Sequence, residues 1–188
     1  MTAQAHAMAP SRLTQVSISD YVRVVILLTL FCIGLAAVVR TGATTQPETA
    51  SLMAPMFAMF ALTAVVFLIM VVVRNATVLR GITSPRYYLA YAAEPPPDWV
   101  ERPARTFNNL MQVPPLFYVV CTLMLISGRL DQAQVALAWI FVVTRALHAI
   151  VYIGWNYLPL RFATFVASFI TLAVLWARLM NASQAICS

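Results

Sequence analysis

Five long apolar stretches, each bounded by arginines or a charged turn, constrain this chain more than any other feature of its sequence. They cover residues 24–39, 52–73, 106–128, 132–160 and 162–177. A helix needs about 20 residues to cross a hydrocarbon core of roughly 30 Å. The three middle stretches meet this length, and the two shorter ones are flanked by arginines that can snorkel to the membrane surface. The sequence therefore predicts five transmembrane helices and an all-α integral membrane fold.

The composition agrees with this prediction and excludes other classes of protein. Charged residues make up 10% of the chain and hydrophobic residues 62%, whereas a soluble domain carries about 25% charged residues. All twelve basic residues are arginines that punctuate apolar runs, so no nucleic-acid surface is expected. Cys32, Cys121 and Cys187 are widely separated, and their spacing predicts neither a disulfide framework nor a metal site.

The distribution of arginines predicts the orientation in the membrane. The connection 74–105 holds five of them, and the positive-inside rule places it in the cytoplasm, with the N-terminus inside and the C-terminus outside. Residues 1–20 are then a tail and 21–41 a first transmembrane helix. A cleaved signal peptide is the alternative for this first stretch, although no A-x-A site follows it.

Polar residues at the start of the third predicted span and inside the third and fourth form two stripes at helical spacing, three and four residues apart. An arginine near the middle of a membrane costs about 2.5–3.5 kcal/mol, so these side chains are expected to face protein or a wet cavity. No carboxylate lies inside a span to neutralise them, which favours an anionic ligand. The two stripes and the arginine that begins the last span are Arg105, Asn109 and Gln112; Arg145, His148 and Tyr152; and Arg161.

Each polar feature also has a structural interpretation. Arg145 and His148 are equally typical of a lock between helices, with His148 bonded to a neighbouring carbonyl. Asn109 and Gln112 are typical of interhelical hydrogen bonds worth about 0.6 kcal/mol each. Pro114 and Pro115 predict a kink in the helix, which frees carbonyl groups one turn earlier.

Two spaced signatures in this chain resemble those of the MAPEG family, the membrane-associated proteins of eicosanoid and glutathione metabolism. The first is Val-Glu-Arg-x-x-Arg-x-x-x-Asn-x-x-Gln at 100–112, and the second is Arg-x-x-His-x-x-x-Tyr at 145–152, followed by Arg161. The spacing is similar to that of microsomal glutathione transferases and prostaglandin E synthases, and 107–118 resembles a bacterial subgroup. The resemblance covers roughly residues 54–182 and implies a four-helix MAPEG-like transmembrane domain over 52–182, with one additional N-terminal transmembrane helix.

The resemblance also implies a function and a site. Family members form homotrimers that hold glutathione as a co-substrate at the cytoplasmic side and act on lipophilic small molecules from the lipid bilayer. By position, Arg161 matches the catalytic arginine that stabilises the glutathione thiolate. The residues that match ligand-binding positions are Arg105, Asn109, Gln112, Arg145, His148 and Tyr152. The subgroup likeness and the all-arginine usage suggest a bacterial inner membrane.

Departures from the family pattern leave the activity open. Asn108 and Gln112 stand where the family commonly has arginine and glutamate. Phe162 and Phe165 stand where the prostaglandin E synthase branch has a serine and a tyrosine. One interpretation is a glutathione transferase or peroxidase acting on lipophilic electrophiles. The alternative is a non-catalytic scaffold of the same fold that binds lipid or a partner protein.

Overall fold

The computed structural model describes residues 17–41, 47–48, 50–90, 94–128 and 130–184, and within these ranges it contains helices and no strand. Five helical segments within these ranges are long and apolar enough to cross a membrane: Ile18–Thr41, Ala50–Leu79, Asp98–Ser127, Gln132–Ile153 and Leu158–Asn181. The prediction of an all-α membrane protein is therefore confirmed. The predicted tail up to residue 16, Cys187 and Arg129 lie outside the described residues. The helices are α1 Ile18–Thr41, α2 Ala50–Leu79, α3 Pro85–Ala90, α4 Asp98–Gln112, α5 Pro114–Ser127, α6 Gln132–Ile153 and α7 Leu158–Gln184.

The helices do not begin and end where the apolar stretches do. Helix α2 continues past Arg74, and α4 begins at Asp98 instead of near residue 106. The charged residues on these extensions pair with each other, since Arg74 Nη2 lies 3.4 Å from Glu101 Oε2. Helix α6 ends at Ile153, earlier than the apolar stretch, because its cap residue Gly154 leaves the helical conformation with φ −77° and ψ −91°. Asn156 follows with φ +50°, which a right-handed helix does not accommodate.

Helix α6 is the centre of the bundle and packs against α1, α2, α4 and α7. Its core face includes Phe141, which stacks on Phe117 of α5 with ring centroids 4.5 Å apart. Asp131 caps the start of α6 in a reciprocal capping box with Gln134 and also accepts a hydrogen bond from Arg178 near the end of α7. The first turn of α6 is thereby tied to the last part of α7.

Helices α4 and α5 form one span that is broken at Val113. Prolines 114 and 115 have no N–H to donate to the carbonyl groups of the preceding turn, and α4 ends at Gln112 while α5 begins at Pro114. The predicted kink is confirmed. At the break the carbonyl of Asn109 keeps only a 3.5 Å backbone hydrogen bond from the N–H of Val113, and this carbonyl becomes part of the site described below.

Helix α1 packs along α6 and α7, with most of its surface exposed. Leu35 reaches the hydrophobic core of the bundle. At the other end of α1, Asp20 accepts a hydrogen bond from Tyr157 in the connection between α6 and α7, and this bond raises the pKa of Tyr157. The added helix is thus linked to the connection that leads into the candidate site.

Candidate functional site

A polar cleft opens where α6 and α7 meet the last turn of α4. Its volume is about 240 Å³. One side is polar and the other is formed by aromatic and aliphatic side chains of α7. The lining residues are Asn109, His148, Tyr152, Leu158, Arg161, Phe162 and Phe165. Four of the seven predicted site residues therefore line one cavity.

Arg145 lies directly behind the wall of this cleft and has no exposed surface. Its Nη2 donates to the backbone carbonyl of Asn109 over 2.9 Å, and its Nη1 lies 3.4 Å from Ser168 Oγ. The guanidinium also sits 5.6 Å from the ring centroid of Phe165. Arg145 therefore binds a carbonyl at the end of α4, where the helix is broken, and its Nε is left without a partner among the described residues.

His148 is one helical turn further along α6 and is 3% exposed. Its Nδ1 lies 3.0 Å from the carbonyl oxygen of Arg161. Since a carbonyl oxygen only accepts, Nδ1 carries the proton in this contact. Nε2 is buried and has no partner in the described part of the chain, so the neutral ring keeps one free acceptor in a residue that lines the cleft.

Arg161 and Tyr152 form the polar floor of the cleft. The guanidinium carbon of Arg161 lies 4.4 Å from the ring centroid of Tyr152, close enough for a cation–π interaction. Arg161 Nη1 donates to Asn156 Oδ1 over 2.7 Å. The backbone carbonyl of Arg161 also accepts a hydrogen bond from His148 Nδ1. The first turn of α7 is therefore fixed against α6 through both the backbone and the side chain of Arg161.

The other two predicted residues, Arg105 and Gln112, lie outside this cleft in the single chain. Both are exposed on α4, as is Asn108. Arg105 Nη1 pairs with Asp98 over 3.1 Å. On a helix, residues four before and three after Asn109 are rotated from it by roughly 40° to 60° toward Asn108. They therefore border the cleft on the outer face of α4 without entering it.

The charges of Arg145 and Arg161 are not balanced by carboxylates of the described residues. In the described ranges the ion pairs join Arg23 to Asp20, Arg74 to Glu101, Arg102 and Arg105 to Asp98, and Arg178 to Asp131. Arg145 and Arg161 instead contact neutral groups: a carbonyl, a hydroxyl, an amide and aromatic rings. The site thus concentrates positive charge inside a helical bundle.

Two residues whose hydrogen bonds hold the surroundings of the cleft together were not among the predicted site residues. Asn156 holds the guanidinium of Arg161, and Arg102 Nη1 donates to the carbonyl of Gly154 over 2.7 Å at the end of α6. The sequence carried a partial signal for Asn156, because an asparagine just after the last turn of a helix often adopts the left-handed conformation. Nothing in the local sequence indicates the contact of Arg102, which joins residues 52 positions apart.

These observations define a multi-pass α-helical membrane protein with a cationic cleft between its helices. The sequence profile of the MAPEG family matches residues 52–181, more than two thirds of the chain. The chain therefore belongs to the MAPEG family, and α1 precedes the matched region. Comparison with curated proteins and comparison with solved structures give no match.

Proposed function

We propose that this protein binds glutathione in the cationic cleft and transfers it to lipophilic electrophiles, or uses it to reduce lipophilic hydroperoxides. The observation that carries the proposal is the pair Arg145 and Arg161, two arginines of membrane-spanning helices that contact only neutral groups in the described part of the chain. An uncompensated charge at membrane depth is costly and is expected to serve a ligand or ion pathway.

Glutathione fits the chemistry of this cleft. It carries two carboxylates and one thiol, and arginine forks bind carboxylates through two parallel hydrogen bonds. The free acceptor at His148 Nε2 and the amide of Asn109 offer further polar contacts beside Arg161. The cleft of about 240 Å³ accommodates part of the tripeptide, and the remainder would lie along the exposed stripe of α4.

Arg161 is the proposed catalytic residue. A cysteine thiol has a pKa of about 8.5 in water, and a guanidinium beside the sulfur lowers it by favouring the thiolate. The thiolate sulfur then forms a bond with an electrophilic carbon while the leaving group departs with the bonding electrons. With a hydroperoxide the sulfur attacks the terminal oxygen, and a second glutathione completes the reduction to alcohol, water and glutathione disulfide.

The exposed polar stripe of α4 supports packing against another copy of the chain, and the proposed assembly is the homotrimer that the resemblance to the MAPEG family implies. Arg105, Asn108 and Gln112 are exposed in the single chain, and such groups are costly against lipid. Packing against a neighbouring copy would cover them and would bring Arg105 and Gln112 into a site shared between protomers. In this arrangement the cleft is complete only in the oligomer.

An apolar groove of about 630 Å³ on α2, α4 and α5 is the proposed position of the lipophilic substrate. Its residues include Phe57, Phe60, Met111 and Tyr118. Leu110 also lines the groove, and Leu110 and Met111 directly follow Asn109 of the cleft. A ligand in the groove therefore reaches the polar site along α4. Phe57 and Phe60 are exposed on the outside of the single chain, so the groove would take a substrate dissolved in the lipid.

We place the cleft at the cytoplasmic side of a bacterial inner membrane, with the N-terminus inside. The support is the arginine distribution, since five arginines lie from the last turns of α2 to the middle of α4: Arg74, Arg80, Arg86, Arg102 and Arg105. The positive-inside rule assigns such a segment to the cytoplasm, where glutathione is available.

A non-catalytic scaffold is the second candidate function, and the phenylalanines of the cleft favour it. Phe165 lies between Arg145 and His148, with its ring centroid 5.7 Å from that of the histidine. Phe162 also lines the cleft. Neither side chain offers a hydroxyl to the sulfur, so the site would bind a lipid or a partner protein without turning over a thiol.

The test is glutathione-dependent conjugation of a chromogenic aryl chloride by the detergent-purified wild-type protein, Arg161→Ala and Arg40→Ala. Arg40 lies at the end of α1 and is exposed, so its variant controls for the loss of one arginine. We expect activity in the wild type and in Arg40→Ala, and loss in Arg161→Ala.

Equal rates in all three proteins would contradict the proposed site. Binding of glutathione without turnover of any electrophile would favour the scaffold, as would native mass spectrometry that finds a lipid retained on the folded oligomer in place of glutathione.

A further inference from the structure

We infer that Asn156 is a positioning residue, which keeps the guanidinium of Arg161 inside the cleft and so sets the ionisation of the bound thiol. The inference rests on the proposed function, in which Arg161 stabilises a thiolate. It is carried by the 2.7 Å hydrogen bond from Arg161 Nη1 to Asn156 Oδ1 and by the backbone conformation of Asn156.

The backbone of Asn156 is specialised. Its φ of +50° lies in the left-handed region, and it is the one non-glycine residue with positive φ in the described ranges. Asparagine and glycine tolerate this conformation better than other residues do. The N–H of Asn156 donates to the carbonyl of Val151 over 2.8 Å, which closes the last turn of α6 and points the chain toward α7.

The side chain of Asn156 is needed because of where Arg161 lies. An arginine near the end of a transmembrane helix normally extends toward the headgroups, since its long stem lets the charge reach water. Here the guanidinium instead folds back over Tyr152, with a distance of 4.4 Å to the ring centroid. The ring holds the flat face of the guanidinium, and the amide oxygen of Asn156 fixes one edge.

A neutral acceptor also preserves the charge of the arginine. An aspartate at 156 would give the same bond with a full negative charge, and an ion pair would compensate the positive potential that the thiolate requires. Glycine would keep the backbone and lose the tether. Asn156 thus combines the turn conformation with a tether that leaves the charge of Arg161 available.

The test uses Asn156→Gly, Asn156→Asp and a control, Asn75→Ala, in the full-length protein. Asn75 is on α2, and its side chain bonds only its own helix at Val71 in the described residues. The first readout is independent of glutathione: the rate at which phenylglyoxal modifies Arg161, measured by mass spectrometry relative to the exposed Arg40. We expect a rise of at least threefold in Asn156→Gly and no change in the control.

The second readout is the pH dependence of glutathione conjugation. We expect Asn156→Gly to shift the thiol ionisation to higher pH and to lower kcat roughly tenfold with little change in KM, since a hydrogen bond to a charged group is commonly worth a factor of ten or more. In Asn156→Asp, phenylglyoxal should still modify Arg161 slowly, while the pH profile of conjugation should shift to higher pH. A purely structural role of Asn156 would not produce this combination.

The outcomes separate the inference from the proposed function. Faster modification of Arg161 in Asn156→Gly, in a protein with no glutathione activity, would support the tether and contradict the proposed function. Wild-type rates of modification and an unchanged pH profile in Asn156→Gly, in an active enzyme, would overturn the inference and leave the proposed function standing.

Discussion

Replacement of Arg145 by methionine separates a ligand-binding role from a purely structural one. Methionine keeps much of the side-chain length and removes the charge. The change eliminates the 2.9 Å hydrogen bond to the carbonyl of Asn109 and the weaker contact with Ser168. It also eliminates the cation–π contact with Phe165.

The expected change in the free energy of unfolding is small because the cost of burying the arginine opposes the stabilisation from its contacts. Burying the arginine costs about 2.5–3.5 kcal/mol. The two hydrogen bonds contribute about 0.6 kcal/mol each on average, with a maximum near 1.7, and the cation–π contact contributes about 0.5–2 kcal/mol. These contributions roughly cancel, so the free energy of unfolding without ligand should change by no more than about 2 kcal/mol.

The effect on ligand affinity is expected to be larger. A positive charge about 8 Å from a ligand carboxylate contributes about 2 kcal/mol at an effective dielectric constant near 20. Arg145 stands directly behind the cleft wall and has no carboxylate partner in the described part of the chain. The Arg145→Met variant should therefore bind glutathione at least tenfold more weakly than the wild type.

The assay is unfolding in mixed detergent micelles with and without glutathione, together with calorimetric titration. Arg178→Met is the matched control, since Arg178 pairs with Asp131 at the opposite end of α7 and should cost about 1 kcal/mol of stability without altering affinity. The reasoning is refuted if Arg145→Met binds glutathione within twofold of the wild type, or if it loses more than about 4 kcal/mol of stability.

Three further substitutions probe the site and its connections. Gln112→Glu should raise glutathione affinity about five- to thirtyfold in calorimetry, because a carboxylate adds about 1–2 kcal/mol to a hydrogen bond with the ligand ammonium; unchanged affinity would place Gln112 outside the site. Arg161→Ala should lower the conjugation rate about a hundredfold and lower the affinity for glutathione by a smaller factor. Equal factors for rate and affinity would argue against thiolate stabilisation. Tyr157→Phe removes the hydrogen bond that Tyr157 donates to Asp20. In the wild type this bond raises the pKa of Tyr157 above its value in the unfolded chain. The bond therefore stabilises the fold below pH about 10, and this stability is lost as pH rises through the folded pKa. The wild type should unfold at higher temperature than this variant near neutral pH and lose the advantage in strong alkali, whereas a constant difference would exclude this bond as its source.

The spans were predictable from the sequence because charges bound them. In a chain with 10% charged residues, each arginine marks a possible end of a span, and Pro114 with Pro115 marks the break at Val113. The helix ends were less predictable. Helix α2 extends to Leu79 because its polar residues find partners such as Glu101, and hydropathy does not report such pairing.

The composition of the site was partly predictable, and its geometry was not. Spacings of three and four placed His148 and Tyr152 on one face of α6, and both line the cleft. The bond between Arg145 and the carbonyl of Asn109 joins residues 36 positions apart, so local periodicity carries no information about it. The two interpretations of Arg145 and His148 also turn out to be compatible, since both residues bond neighbouring carbonyls and lie at the cleft.

Calorimetric titration of glutathione into the detergent-purified wild-type protein tests the central claim most directly. The account predicts saturable binding below millimolar concentration, with an affinity that falls at least tenfold in both Arg145→Met and Arg161→Ala. Absence of binding at millimolar glutathione, in a protein shown to be folded and oligomeric, would contradict it.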